Sequence, residues 1–244
     1  MEAMAVLFVM APPPGAGPDQ ARPFVKVDNR EIFMRTIELY ANRDQVSQRV
    51  LCVLPDDMSR VQEKYGPHLG FQGVSVTTGG PDWFGAVQRG LEKLKPPVQW
   101  VMIHDASRPA VPYGLLDALE QAAAKTGAAV PVLPLETDLV QLKPDRQVEA
   151  WAATGRLFHV QYPQLFRKDL LVAAYARRAA GAGAGADDAA LVQASGAAIA
   201  TVPGWRLNWR IDSDEMVRMA GDLLKHLPRP RRAAVISPFE EAQW

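Results

Sequence analysis

The 244-residue chain is 48% apolar and 22% charged, the composition of a globular protein with enough apolar material for a sizeable core. Its 27 basic and 27 acidic side chains cancel, which removes the global attraction that drives generic binding to nucleic acid or anionic membranes. Neither is expected as a partner.

Met1-Glu2-Ala3-Met4 lacks the basic start of a signal peptide, and no apolar stretch reaches the roughly 18 residues that span a bilayer, so a cytoplasmic location is expected. Ala5–Met10 is the first predicted strand. A proline-rich loop follows, and then Ile32, Phe33, Ile37 and Tyr40 at helical spacing. The second strand, Arg49–Leu54, holds the single cysteine, Cys52, inside an apolar run; it reads as a buried small hydrophobe and excludes a disulfide framework or a multi-cysteine zinc site. Val74–Thr77 is the third strand, with a helix marked by Trp83, Val87, Leu91 and Leu94 after it. Trp100–His104 is followed by Leu115, Leu116 and Leu119, and Ala128–Val132 is the fifth strand. Apolar, largely unalternated strands between amphipathic helices predict an α/β fold: a mostly parallel sheet with helices on both faces and ligands at the strands' carboxyl ends.

The rhythm breaks after Pro134. Residues 135–161 carry β-like pieces and a turn at Lys143-Pro144-Asp145, which suits a protruding arm. A helix is predicted over Lys168–Ala179, then a low-complexity tract over Gly181–Ala186. A last strand pair, Ala198–Val202 and Leu207–Ile211, precedes a helix opened by Asp212 with Glu215 in a capping box and ending near His226. One domain over residues 1–228 and a tail over 229–244 are expected.

The strongest chemical signal is Ile103-His104-Asp105-Ala106-Ser107-Arg108-Pro109, which puts Asp105 at the end of a predicted strand. A carboxylate and a guanidinium three residues apart can hold Mg²⁺ and a phosphate or hydroxyl together; a surface pair capping the next helix is the alternative. His104 and His159 are candidate general bases, with hydrogen-bonded structural roles preferred. A dinucleotide-binding domain is disfavoured, since no G-x-G-x-x-G follows the first strand.

His104-Asp105-Ala106-Ser107-Arg108-Pro109 resembles the H-D-A-A-R-P motif of the 2-C-methyl-D-erythritol 4-phosphate cytidylyltransferases. Val53-Leu54-Pro55-Asp56-Asp57 looks like that family's V-x-P-x-D, and Gly79-Gly80 like the start of G-G-x-x-R-x-x-S-V. Val160-Gln161-Tyr162-Pro163-Gln164-Leu165-Phe166 is similar to A-Q-T-P-Q-x-F. Ala186-Asp187-Asp188-Ala189-Ala190 is similar to T-D-D-A-S, and Asn208-Trp209-Arg210-Ile211 to N-I-K-I. The landmarks run in order from about Ala5 to His226. The resemblance implies a Rossmann-like nucleotidyltransferase domain, a homodimer built through exchanged arms, and cytidylyl transfer from CTP to a sugar-alcohol phosphate with Mg²⁺.

Arg210, at the family's final lysine, and Arg22 and Lys26, which flank the position of its lost loop lysine, stand as catalytic cations. Asp105, Arg108, Asp187 and Arg156, which lies two residues from the family's arginine position, stand as substrate-binding residues; Gly15, Gly79 and Gly80 as nucleotide-binding residues; and Asp105 with Asp187 as metal ligands, separate surface carboxylates being the alternative. Several motif positions differ. The family's A-A-G-x-G-x-R-M loop is replaced by Ala11-Pro12-Pro13-Pro14-Gly15-Ala16-Gly17-Pro18, and prolines have no N–H for a phosphate. Phe24 stands at the family's lysine, Trp83 and Ala86 at its arginine and serine, Thr154 at a further arginine. Tyr162 and Ala186 stand at two threonines. Weak or lost standard activity is therefore expected. Three readings compete: a cytidylyltransferase with a rebuilt site, a non-catalytic binding or regulatory homologue, and a nucleotidyltransferase for another sugar phosphate or nucleotide, with Trp83 and Tyr162 as a stacking wall or simply core.

Overall fold

The computed structural model describes residues 3–16, 23–181 and 186–227. Arg22, most of the low-complexity tract and the tail beyond residue 228 lie outside these. The chain opens with β1 (Met4–Val9), whose residues are all buried, and a short hairpin of β2 (Lys26–Val27) and β3 (Arg30–Glu31). Then come α1 (Ile32–Glu38), β4 (Val46–Val53), α2 (Met58–Phe71), β5 (Val74–Thr78) and α3 (Trp83–Glu92). Next are β6 (Trp100–Asp105), α4 (Tyr113–Thr126) and β7 (Ala128–Pro134). The arm is a separate ribbon of β8 (Leu139–Leu142) and β9 (Val148–Ala152) that pairs with no other strand among the described residues. The chain returns through β10 (Phe158–Val160), β11 (Gln164–Arg167), α5 (Lys168–Ala179), α6 (Asp188–Ala194), β12 (Ala200–Pro203) and α7 (Asp214–Lys225).

The main sheet runs β10-β7-β11-β6-β1-β4-β5, with β12 also paired to β7. β10 and β11 are antiparallel to their neighbours and the other pairings are parallel. The alternation along β1 shows why both faces are covered. Met4, Val6 and Phe8 pack under α1, α2 and α4, while Ala5, Leu7 and Val9 pack under α3, α5 and α6. A smaller apolar cluster joins α7 to the β2–β3 hairpin through Val27, Ile32 and Leu223. The expected α/β architecture, its five main strands and the arm are all found.

Two details differ. Leu207–Ile211 is not a strand: Asn208 N–H closes a turn on Trp205, and Ile211 N–H donates to the carbonyl of Ser107, so its backbone is held by a loop instead of a ladder. The cap of α7 is Ser213, whose hydroxyl accepts from Met216 N–H, and Asp212 lies one residue outside. Ser213 is the residue whose oxygen reaches the third N–H of this helix, as a capping residue must.

β1 sits centrally, with β4 on one side and β6 on the other. From β1 the chain moves toward β4 and β5; from β6 it moves the opposite way, toward β7. The loops after β1 and β6 therefore diverge and leave a crevice at the carboxyl edge, the place where open α/β sheets bind ligands.

Candidate active site

The loop leaving β1 is a tight turn. Ala16 N–H donates to Pro13 carbonyl at 3.0 Å, Pro14 occupies the first central position and Gly15 the second, with φ of 83°. Proline then a residue of positive φ is the signature of a type II turn, and it explains why glycine stands at 15. Pro13 and Pro14 face a cavity of about 610 Å³, whose wall also includes Arg108, Tyr162 and Asp187.

The loop leaving β6 is organised by Asp105, which is 1% exposed. Its Oδ1 accepts from Ser107 N–H at 2.9 Å, its carbonyl accepts from Arg108 N–H, and Ala106 N–H donates to Val9 of β1. Its Oδ2 lies 3.0 Å from Arg210 Nε and 3.5 Å from Arg108 Nε. One buried carboxylate thus serves two guanidiniums, and the cluster carries an excess positive charge. Arg210 is 8% exposed, and its buried Nη2 has no hydrogen-bond partner among the described residues. A buried cation short of partners favours an anion nearby. Arg108 Nη1 donates to the carbonyl of Asn208 at 2.6 Å, and fully buried Asn208 donates to the carbonyl of Tyr162 at 2.6 Å. These bonds fasten residues 208–211 to the β6 loop and to the break between β10 and β11.

His104 is a structural group. The carbonyl of Arg108 can only accept, so the Nε2–H donates to it at 3.0 Å and Nδ1 accepts from Tyr40 Oη at 2.8 Å. Burial presses the imidazole down to about 3, so it stays neutral. His159 is exposed on β10.

Asp187 and Asp188 are adjacent and unlike. Asp187 caps α6 through Ala190 N–H at 2.8 Å and accepts from Gln164 Nε2 at 2.9 Å. Asp188 is fully buried and accepts from Trp83 Nε1 and Tyr162 Oη, each at 2.8 Å, and from Tyr175 Oη. Burial raises its carboxyl to about 6 against the pull of those three donors. Trp83 is therefore core, while Tyr162 joins core and pocket. The two-carboxylate magnesium site expected from the sequence does not fit this arrangement. Asp105 is held by guanidiniums and a backbone N–H, Asp187 by a helix end and Gln164. Among the described residues no three His, Cys, Asp or Glu side chains group around a metal position.

The other expected site residues are dispersed. Lys26 on β2 is half exposed and pairs with Glu31 at 3.6 Å. Arg156, between β9 and β10, is exposed. Gly79 and Gly80 pack the β5 turn against α3: a Cβ on Gly80, where φ is 63°, would meet Gly85 Cα at 2.6 Å. The structure thus brings together Asp105, Arg108 and Arg210, places Gly15 and Asp187 beside the same crevice, and leaves Lys26 and Arg156 outside the cavity wall. Sequence reasoning missed Asp188 and Asn208 as organising residues. The paired aspartates before a helix were visible, but their aromatic donors come from distant segments.

The 2-C-methyl-D-erythritol 4-phosphate cytidylyltransferase (IspD) model matches residues 11–226. The chain belongs to this family. A cytidylyltransferase of the family from Acidobacterium capsulatum is 29% identical over 233 residues, covering 90% of this chain and 97% of that one. One from Clostridioides difficile is 26% identical, covering 84% of this chain and 86% of the relative. The bifunctional IspD/IspF enzyme of Anaeromyxobacter dehalogenans is 33% identical across 84% of this chain and 53% of its own length. The crystal structure of the family enzyme from Thermus thermophilus superposes with a TM-score of 0.74 at 28% identity, covering 92% of this chain and all of that one. No described helix of this IspD-family chain is long and apolar enough to cross a membrane.

Proposed function

We propose that this IspD-family chain keeps the family's ligand pocket but performs cytidylyl transfer from CTP to 2-C-methyl-D-erythritol 4-phosphate weakly or not at all. The observation that carries this reading is the turn after β1. In the transfer, an acceptor phosphate oxygen bonds to the α-phosphorus of CTP and pyrophosphate leaves. The barrier falls when backbone N–H groups and cations surround the migrating charge. Pro12, Pro13 and Pro14 bring no N–H to this position, and that of Ala16 is committed to the turn. Lys26 pairs with Glu31 and lies outside the cavity wall, and Arg210 is held through Nε by Asp105 with Nη2 left over, so neither stands where the family's clamp would need it; Arg22 is the third proposed cation. Mg²⁺ in such a reaction would neutralise the triphosphate, and it would have to arrive with the nucleotide.

Arg108 on the cavity wall and the partner-poor guanidinium of Arg210 support retained binding of a phosphorylated ligand, and with it a binding or regulatory role in the cytoplasm. The exposed arm supports a homodimer. Pyrophosphate release from CTP, methylerythritol phosphate and Mg²⁺ tests the reading. Each lost preorganised donor costs ~10²–10³ in rate, so turnover is expected at least ~10³ below that of a relative with the glycine-rich loop. Turnover within about tenfold of that relative would overturn it.

A further inference from the structure

The cavity beside Arg108 is walled largely by hydrocarbon. At the two positions where the resembled motifs carry threonine, its wall is Tyr162 and Ala186. Ala186 has no hydroxyl. The hydroxyl of Tyr162 is turned into the core, where it donates to Asp188 at 2.8 Å, so a ligand meets the carbon surface of the ring. Val130, Val132 and Ile199 extend that surface.

Among the described residues the polar side chains on the wall are few: Arg108, Asp187, Gln193 and Thr201. Both oxygens of Asp187 are committed, to Ala190 N–H and to Gln164. Arg108 uses one Nη1 hydrogen on Asn208 and holds Nε toward Asp105, which among the described residues leaves Nη2 and the second Nη1 hydrogen for a ligand. A polyol lying along this wall would give up hydrogen bonds to water and find few replacements. An apolar body would gain by leaving water, and an anionic head would pair with Arg108, the cationic side chain on this wall among the described residues.

We propose, on the footing that the pocket is retained, that it takes a phosphate monoester with an apolar or aromatic body in preference to a polyol phosphate. Titration calorimetry of the full chain with phenyl phosphate, erythritol 4-phosphate and inorganic phosphate tests this. Phenyl phosphate is expected to bind roughly 10- to 100-fold more tightly than erythritol 4-phosphate, the range over which an apolar pocket discriminates by body chemistry. Inorganic phosphate, which has the head alone, is expected to bind more weakly than phenyl phosphate. Ala186→Thr, at an exposed position, returns a hydroxyl to the wall and is expected to narrow the preference several-fold.

Equal or tighter binding of erythritol 4-phosphate, or no binding of phenyl phosphate, overturns the ligand class. An unchanged ratio in Ala186→Thr overturns the assignment to this cavity. Pyrophosphate release on the same preparations reports separately. Robust turnover with methylerythritol phosphate overturns the weak-transfer reading, whereas a reversed preference without turnover overturns the ligand class alone.

Discussion

Asp188 ties the pocket to the core through three neutral donors, and its protonation sets a pH dependence. Burial raises its carboxyl from an ordinary 3.8 to about 6. The folded state then holds the proton more tightly than the unfolded chain, so this group adds stability as pH falls from about 6 towards 3.8. His104 works in the opposite sense. Its imidazole falls from 6.5 to about 3 in the fold, so its contribution to stability is lost progressively as pH drops below 6.5. Urea unfolding of wild type and Asp188→Asn across this range separates the two. The wild type's stability relative to the variant is expected to grow on acidification, by up to about 3 kcal/mol at 1.36 kcal/mol per pKa unit; a difference constant with pH would refute the assignment. Tyr162→Phe removes one donor to the same carboxylate and should cost about 1.5–3 kcal/mol at neutral pH, measured by the same method.

Between β10 and β11, residues 161–163 interrupt two segments that both pair with β7, and this break delivers Tyr162 to the cavity. Gln161 N–H donates to Pro131 and its side chain bonds to Trp205, so the break is anchored on both sides. The turn from β5 into α3 is equally constrained. Gly80→Ala would force a methyl against the Gly85 backbone from a conformation with φ of 63°, and a loss of about 1–3 kcal/mol is expected in thermal or urea unfolding. At this scale the buried parallel strands were legible, because apolar runs bounded by Pro, Gly and Asp have few other readings. Leu207–Ile211 was not, because its strand-like pattern of large residues reflects side chains aimed at a loop and at α7. Spacing was silent about the surroundings of the magnesium pair for a related reason: it places Asp105 at a strand end but cannot reveal that Arg210, arriving from a distant segment, pairs with it.

The molecule as a whole has one conspicuous unpaired part. Among the described residues the β8–β9 ribbon joins no other strand, and Trp151 is 71% and Val148 50% exposed. A lone two-stranded ribbon is marginally stable in water, and apolar side chains grouped on it favour a partner surface. The dimer proposed above predicts twice the monomer mass by light scattering, and a monomer when Trp151→Asp and Val148→Asp are combined. A monomeric wild type at micromolar concentration would count against it. The order of motifs was enough to read this architecture, since each motif marks a loop at one edge of the sheet. The cavity wall was harder, because it is assembled from side chains of several separate segments.

Cys52 is fully buried on β4, with its sulfur packed so closely on α3 that a Cβ at Gly90 would lie 2.6 Å from it. Burial pushes the thiol up to about 12, so it is protonated as well as inaccessible at neutral pH. The only sulfhydryl of the chain can therefore react with a thiol reagent only when sheet and helix separate. Its modification rate, compared with that of the unfolded chain, measures the free energy of opening at the centre of the molecule with no label introduced.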